Sequence, residues 1–138
     1  MDAAVTWKHD LVFSGLGSGT NFPVALGTHI DGVPSEGASP LELLLMGTAG
    51  CTAMDVISIL QKKRQQVTGF EIRVHADRAD EHPRVFTHIT LEYVITGRQI
   101  DPESVSHAID LSLEKYCSAH AMMSKAVPID HTFRVVEA

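Results

Sequence analysis

Two cysteines, Cys51 and Cys117, are the side chains that offer the clearest chemistry in this chain. Cys51 lies within the most apolar helical segment, and Cys117 lies at the end of a second helical segment. A single pair 66 positions apart is too sparse for a disulfide framework. In a reducing compartment such a pair is more often catalytic, redox-active or metal-binding than structural. The pair therefore makes thiol redox chemistry the first hypothesis.

Spacing alone favours a second interpretation, in which both cysteines are small buried hydrophobic residues. A reactive cysteine must be a thiolate, which requires a nearby cation, hydrogen-bond donor or helix N-terminus. Cys51 lies about twelve residues into its helix, beyond the reach of the helix dipole. Asp55, four residues later, raises the pKa of the thiol if it lies close. An activating group is therefore expected from elsewhere in the fold or from a second subunit.

The histidines give little support for a metal site. The sequence has no C-x-x-C motif, and no pair of closely spaced histidines accompanies the cysteines. His120 lies three residues after Cys117 and either polarises that thiol or is solvated. His131 alternates with apolar residues and is interpreted as a strand histidine with satisfied hydrogen bonds. No metal and no bound organic cofactor is predicted.

The first third of the chain predicts short strands and turns, and the long helix that carries Cys51 follows. Ser39 is a natural N-cap, Pro40 suits the first helical position and Glu42 completes a capping box. The helix is expected to run to about Arg64. Its first half is apolar on nearly every side and is expected to be buried all round. A polar stripe marks its second half, with Cys51 at the edge, and consists of Thr48, Thr52, Asp55, Ser58 and Lys62.

The remaining elements predict an α+β fold in a single domain, residues 1–138. Two alternating strands around Asp80–Pro83 predict an antiparallel hairpin. Asp101 and Pro102 begin a second helix by an N-cap and a first-turn proline. A final strand is expected around Phe133. The inward face of the second helix is predicted to consist of Val105, Ala108, Ile109, Ser112, Leu113 and Tyr116.

Charge and hydropathy narrow the class of partner. The net charge of −6 argues against nucleic acid and against anionic membrane surfaces. The longest uninterrupted apolar run, Leu43–Met46, is far shorter than the ~20 residues of a membrane span. The first residues show no pattern of a secretory signal. A cytoplasmic protein that does not enter a membrane is therefore expected.

Two motifs resemble those of a known family. Gly37-Ala38-Ser39-Pro40-Leu41-Glu42 through Gly50-Cys51 is similar to the central-helix signature of the OsmC/Ohr family. Glu114-Lys115-Tyr116-Cys117-Ser118, followed by Ser124-Lys125-Ala126, is similar to that family's second-cysteine region. The resemblance implies antiparallel strands packed on a long central helix in an intertwined homodimer.

The resemblance also implies a function. It implies a thiol peroxidase for organic hydroperoxides in oxidative-stress defence, with Cys51 as the peroxidatic and Cys117 as the resolving cysteine. Glu42 is the candidate carboxylate, which either orients a charged group near Cys51 or serves only in the capping box. An external dithiol, in the family a lipoylated protein, restores both thiols.

The sequence departs from the family's peroxidases in two places. Those enzymes use an N-terminal arginine to activate the thiolate, whereas no arginine precedes Arg64 here. They also carry a glutamate directly after the helix-opening proline, where this chain has Leu41. The residues that could replace this arginine as the activating cation are Arg73, Arg84, Arg98, Lys8, Lys62 and His29. The missing arginine favours an alternative function, a non-enzymatic binding or redox-sensing module that holds an apolar ligand at the dimer cleft.

Overall fold

A computed structural model describes residues 1–138 and contains six strands and three α-helices. The strands are β1 (Ala3–His9), β2 (Val12–Gly17), β3 (Val24–Leu26), β4 (Gln66–Arg78), β5 (Phe86–Arg98) and β6 (Ile129–Glu137). The helices are α1 (Pro40–Lys62), α2 (Pro102–Leu111) and α3 (Ser118–Met123), with a π-helical turn at Ser112–Tyr116 between the last two. The predicted α+β class is confirmed. The chain divides into two compact units, Met1–Leu45 and Met46–Ala138.

The first unit contains an antiparallel sheet in the order β1-β2-β3. Every residue of β1 is exposed, and Trp7 retains 63% of its accessible surface. Strand β3 is short, because only Val24–Leu26 pairs with β2. Phe22 lies outside it with 81% exposure. This unit therefore buries little of its own apolar surface.

Helix α1 begins at the predicted capping box. The backbone N–H of Glu42 donates to Ser39 Oγ at 3.1 Å, and the backbone N–H of Ser39 donates to Glu42 Oε1 at 2.9 Å. These two bonds satisfy backbone donors that a helix start leaves without partners. The helix ends at Lys62, two residues before the predicted end.

Within a single chain, the first half of α1 is only partly buried, and the prediction that it is buried all round stays a prediction for a dimer. The buried positions form one stripe at helical spacing, Thr48, Ala49, Thr52, Val56 and Leu60. Met46 and Met54, on other faces, are 55% and 74% exposed. The sheet and helices of the second unit cover one side of the helix, and Met46 and Met54 lie on sides that this unit leaves exposed.

Helix α1 is also long and apolar enough, by length and composition alone, to cross a membrane. It has 23 residues, and its most apolar 18-residue window has a mean hydropathy of 1.8. The prediction from the sequence considered only uninterrupted apolar runs, and the Gly and Thr residues of this helix interrupt such runs without lowering the mean hydropathy much. The central helix of a soluble protein passes the same test. Because Val56 and Leu60 are fully buried in the core of the second unit, we interpret α1 as a core helix.

The second unit contains a sheet in the order β4-β5-β6. Strands β4 and β5 form the predicted antiparallel hairpin, and β6 returns parallel to β5 after the helical segment. Alternate residues of β5 form the floor of the core with no exposed surface, namely Ile89, Leu91, Tyr93 and Ile95. The alternation predicted from the sequence is thus confirmed for the central strand.

Helix α2 begins at Asp101, whose carboxylate accepts from the backbone N–H groups of Glu103 and Ser104, both at 3.2 Å. Its predicted inward face is confirmed as far as Ser112 but fails at Tyr116, which is 54% exposed. The π-helical turn adds a residue to the helical repeat, so the register of the apolar face shifts after Ser112. Cys117, which follows this turn directly, is buried and only 2% exposed.

Candidate functional site

The two cysteines meet between α1 and the start of α3. Cys51 is half-buried on α1, and Cys117 is buried at the N-cap of α3. Both thiols are free, and they are within hydrogen-bonding contact of each other. The hydroxyl Oγ of Ser118 lies 3.8 Å from Cys51 Sγ. The fold therefore brings together the two residues that the sequence singled out for redox chemistry.

The environment of Cys51 favours its thiolate without a cation. The backbone N–H of Ala119 donates to the sulfur and is the main cause that lowers the pKa of this thiol. Partial burial acts in the opposite direction, whereas the thiol of Cys117 and the hydroxyl of Ser118 lower the pKa further. The carboxylate of Asp55 raises it, as expected from the sequence. Neutral donors at the start of α3 thus supply the activation that the sequence left without a source.

Cys117 has the opposite character. Burial raises the pKa of its thiol to about 11, and the neighbouring Cys51 sulfur and Asp55 charge act in the same direction. The backbone N–H of His120 donates to Cys117 Sγ at 3.3 Å and partly opposes this rise. At neutral pH Cys117 is therefore a protonated thiol beside a more acidic one. This asymmetry matches the order nucleophile first and resolving thiol second.

A chain of buried hydroxyl groups lies behind the thiols. Tyr93 OH is 2.9 Å from Thr52 Oγ1, which is 2.7 Å from Ser112 Oγ, and Ser112 donates to Asp55 Oδ2 at 2.9 Å. Thr52, Tyr93 and Ser112 have no exposed surface. Burial raises the pKa of Tyr93 to about 12, so its hydroxyl keeps its proton at neutral pH. The polar stripe predicted on α1 therefore faces the protein interior at Thr52 rather than solvent.

Glu42 is placed in its structural role. Its carboxylate accepts the backbone N–H of Ser39, and this bond together with the Ser39 hydroxyl lowers the pKa of Glu42. The capping box is confirmed, and its role as a catalytic carboxylate stays a prediction.

The cations proposed as substitutes for the missing arginine differ in their surroundings. Arg73 pairs with Glu71 at 3.2 Å on an exposed face of β4. Arg84 lies in the β4–β5 connection with a positive φ of 46°. Lys62 lies on α1 eleven residues after Cys51, about 16 Å along the helix axis, which is too far for contact with the sulfur. Arg98 ends β5, and Lys8 and His29 belong to the first unit.

His120 contributes its backbone rather than its ring to the site. Burial lowers the pKa of its imidazole, and the ring hydrogen-bonds to the backbone of Leu113. His131 stands edge-on to the ring of Tyr93, with ring centroids 6.2 Å apart. Neither histidine is therefore the group that polarises a thiol through its ring.

Sequence reasoning missed four of the groups that shape the site. Ser118 and the backbone of Ala119 carry no signal beyond their position after Cys117. The sequence assigned Thr52 to the polar stripe of the first helix and Ser112 to the apolar face of the second. The hydrogen bond between them spans 60 positions, and neither pattern indicated it.

An open groove of about 570 Å³ runs along α1 from Met54 to Lys63, and neither cysteine lines it. Its walls include Met54, Ile59, Leu111 and Tyr116, and Asp55 and Lys62 supply charge. Asp55 and Tyr116 are neighbours of the cysteines, four residues after Cys51 and one before Cys117 respectively. The groove gives a mainly apolar molecule a surface close to the site.

Comparison with known proteins agrees with this architecture. Residues 33–132 match the family described as OsmC-like protein. Protein YhfA of Escherichia coli strain K12 is 44% identical over 138 residues, which cover all of both chains. The crystal structure of a hypothetical protein from Aquifex aeolicus VF5 has a TM-score of 0.86 with 27% identity, over 99% of this chain and 96% of that one.

A third comparison extends the fold to proteins with a described role. The organic hydroperoxide resistance protein OhrB of Bacillus subtilis has a TM-score of 0.63 with 14% identity, over 97% of this chain and 98% of that one. At this identity the likeness concerns the fold. From the family match and the relative at 44% identity, the chain belongs to the OsmC/Ohr family.

Proposed function

We propose that this protein is a thiol-dependent peroxidase that reduces organic hydroperoxides by a two-cysteine mechanism, in oxidative-stress defence in the cytoplasm. The observation that carries the proposal is the unequal pair of adjacent thiols, one with a lowered and one with a raised pKa. The half-buried Cys51 thiolate is the nucleophile, and the buried protonated thiol of Cys117 beside it is the resolving group.

The reaction balances with these two thiols and an external dithiol. The Cys51 thiolate attacks the distal oxygen of the O–O bond, which gives a sulfenic acid and an alkoxide that takes up a proton to form the alcohol. The sulfur of Cys117 then attacks the Cys51 sulfur, the S–O bond breaks and water leaves with the Cys117 proton. An external dithiol, for which a lipoylated protein is the candidate, reduces the disulfide by thiol–disulfide exchange.

Peroxide turnover tests this proposal directly. Cumene hydroperoxide consumption is measured with excess dithiothreitol for the wild type, Cys51→Ser and Cys117→Ser. We expect Cys51→Ser to lose turnover and Cys117→Ser to form a sulfenic acid that dimedone traps. A wild type no faster than Cys51→Ser refutes the peroxidase.

We further propose a homodimer. Large apolar side chains are exposed in both units, including Trp7 and Phe22 in the first and Met54 in the second. The number of large apolar side chains exposed within each unit supports burial against a second copy of the chain. Sedimentation velocity at micromolar concentration is expected to give twice the chain mass of 15.0 kDa, and a species of 15.0 kDa alone refutes it.

The open groove, whose walls combine apolar side chains with Asp55, Ser58, Lys62 and Lys63, favours a second candidate, a module that holds an apolar ligand without turnover. Native mass spectrometry of freshly purified protein distinguishes the two. A stoichiometric bound molecule together with no peroxide turnover supports the binding module, whereas ligand-free protein with turnover supports the peroxidase.

A further inference from the structure

Ser112 begins the π-helical turn and has more connections to the site than its sequence position suggests. Its hydroxyl lies 2.7 Å from Thr52 Oγ1 and donates to Asp55 Oδ2 at 2.9 Å. Its backbone carbonyl accepts the N–H of Cys117 at 2.7 Å, the bond that closes the turn. The residue is fully buried. Side chain and backbone of one residue thus link two separate parts of the site.

The direction of the hydroxyl chain follows from its last member. A carboxylate only accepts hydrogen bonds, so the single proton of the Ser112 hydroxyl is directed to Asp55. Thr52 must then donate to Ser112, and Tyr93 must donate to Thr52. Each hydroxyl group donates once, and its proton has one defined direction. Loss of the Ser112 hydroxyl therefore removes the acceptor of Thr52 and a donor to Asp55 together.

The positions of these partners on α1 matter for the cysteines. Thr52 follows Cys51 directly, and Asp55 lies one helical turn after it. Ser112 therefore contacts the turn of α1 that carries Cys51 and, through its carbonyl, the residue Cys117 itself. The π-helical turn between Ser112 and Cys117 is a rare conformation that often occurs at functional sites. If this turn is not anchored, an ordinary α-helical turn can form in its place. The change of helical register would then displace Cys117.

We propose that Ser112 is a positioning residue of the resolving cysteine, which holds the Cys117 sulfur beside Cys51 by fixing the π-helical turn to α1. This inference rests on the proposed function for its biological meaning. The claim about geometry is independent of peroxide turnover, because two aligned thiols also close a disulfide in exchange with glutathione.

The test measures closure of the disulfide and reactivity of Cys51 separately. Reduced wild type and Ser112→Ala are equilibrated in glutathione redox buffers, and the fraction with an intramolecular disulfide is read by intact mass after acid quench. We expect the equilibrium constant for closure to fall about tenfold in Ser112→Ala, because alignment of the two sulfurs is lost. Alkylation of Cys51 by iodoacetamide is expected to fall clearly less than closure, because it requires only the Cys51 thiolate, whereas closure requires both sulfurs to be aligned.

A control serine with the same type of bond lies in the first turn of α2, on the exposed surface. Ser104 Oγ donates to Asp101 Oδ2 at 2.7 Å, a serine–aspartate bond like that of Ser112 but at the opposite end of α2. Ser104→Ala should leave the closure constant unchanged. If Ser112→Ala does not fold, Thr52→Val removes one of the two bonds to the Ser112 hydroxyl with little change in volume, and a fall of about threefold is expected.

The outcomes separate the two claims. Closure that is equal in the wild type, Ser112→Ala and Thr52→Val overturns the positioning role, and so does an equal fall in Ser104→Ala. A parallel loss of Cys51 alkylation shows a general structural effect and also overturns it. Absence of peroxide turnover with a selective fall in closure refutes the peroxidase while it supports the role of Ser112.

Discussion

The raised pKa of Cys117 predicts a thiol that resists alkylation even when it is the only one in the chain. In Cys51→Ser the remaining thiol is 2% exposed, and burial, the largest cause of its raised pKa, persists. The contribution of the Cys51 sulfur disappears, so the value of about 11 is an upper limit for the variant. The assay compares the rate at which iodoacetamide alkylates Cys117 in this variant at pH 8 with the rate at which it alkylates glutathione.

The expected slowing follows from two opposing factors. At pH 8 an ordinary thiol with a pKa of ~8.5 is about one quarter thiolate, whereas a thiol with a pKa of ~11 is about one part in a thousand. Cys117 therefore has roughly 200-fold less thiolate. A more basic thiolate is a better nucleophile, with a Brønsted coefficient of ~0.4–0.5, which recovers roughly tenfold. The pKa alone therefore predicts a rate up to about 20-fold below that of glutathione, and restricted access to a buried sulfur slows the reaction further.

Two controls complete the assay. In urea the Cys117 thiol of the same variant should react at nearly the rate of glutathione, because the cause of the slowing is the folded environment. The reciprocal variant Cys117→Ser leaves Cys51, whose largest stabilising contact, the Ala119 N–H, is unchanged. Its reaction should reach its pH plateau at a lower pH than glutathione does. A folded Cys51→Ser protein that reacts within about threefold of glutathione at pH 8 refutes the assignment of a buried, protonated resolving thiol.

Three further predictions concern the cap, the hydroxyl chain and pH. Glu42→Ala should lower the thermal unfolding midpoint, because it removes the acceptor of the Ser39 N–H. Glu42→Gln keeps an oxygen acceptor and should keep the midpoint. A loss of peroxide turnover in Glu42→Gln at unchanged stability would support the catalytic role. Thr52→Val and Tyr93→Phe should each lower the free energy of unfolding in urea by about 1–3 kcal/mol. The double variant should lose clearly less than the sum of the two, because neither hydroxyl of the pair then remains buried without its partner. In the reduced protein, the lowered pKa of Cys51 should make the free energy of unfolding rise with pH up to ~8.5, the pKa of an unfolded thiol. The raised pKa of Cys117 should make the same free energy fall between pH ~8.5 and 11. Urea unfolding of Cys117→Ala should therefore show no fall between pH 8.5 and 10.

The local features of the fold were predictable because their causes are local. The capping box at Ser39 and Glu42, the hairpin and the N-cap at Asp101 each depend on residues within a few positions of one another. The exposure of Tyr116 was not predictable, because a π-helical turn changes the register without a signal in the periodicity. The activation of Cys51 was also hidden, since a backbone N–H belongs to every residue and only the tertiary fold aims that of Ala119 at the sulfur.

The contrast between the two thiols has one structural origin. The π-helical turn and the start of α3 form a continuous segment from Ser112 to His120. This segment places Cys117 in the interior, where burial raises the pKa of its thiol. It also places the Ala119 N–H against Cys51, where this donor lowers the pKa of the Cys51 thiol. A family peroxidase achieves activation with an arginine, and this chain has none before Arg64. Because the donors here are neutral, the reactivity of Cys51 should depend little on ionic strength, whereas activation by an exposed cation weakens as salt screens it.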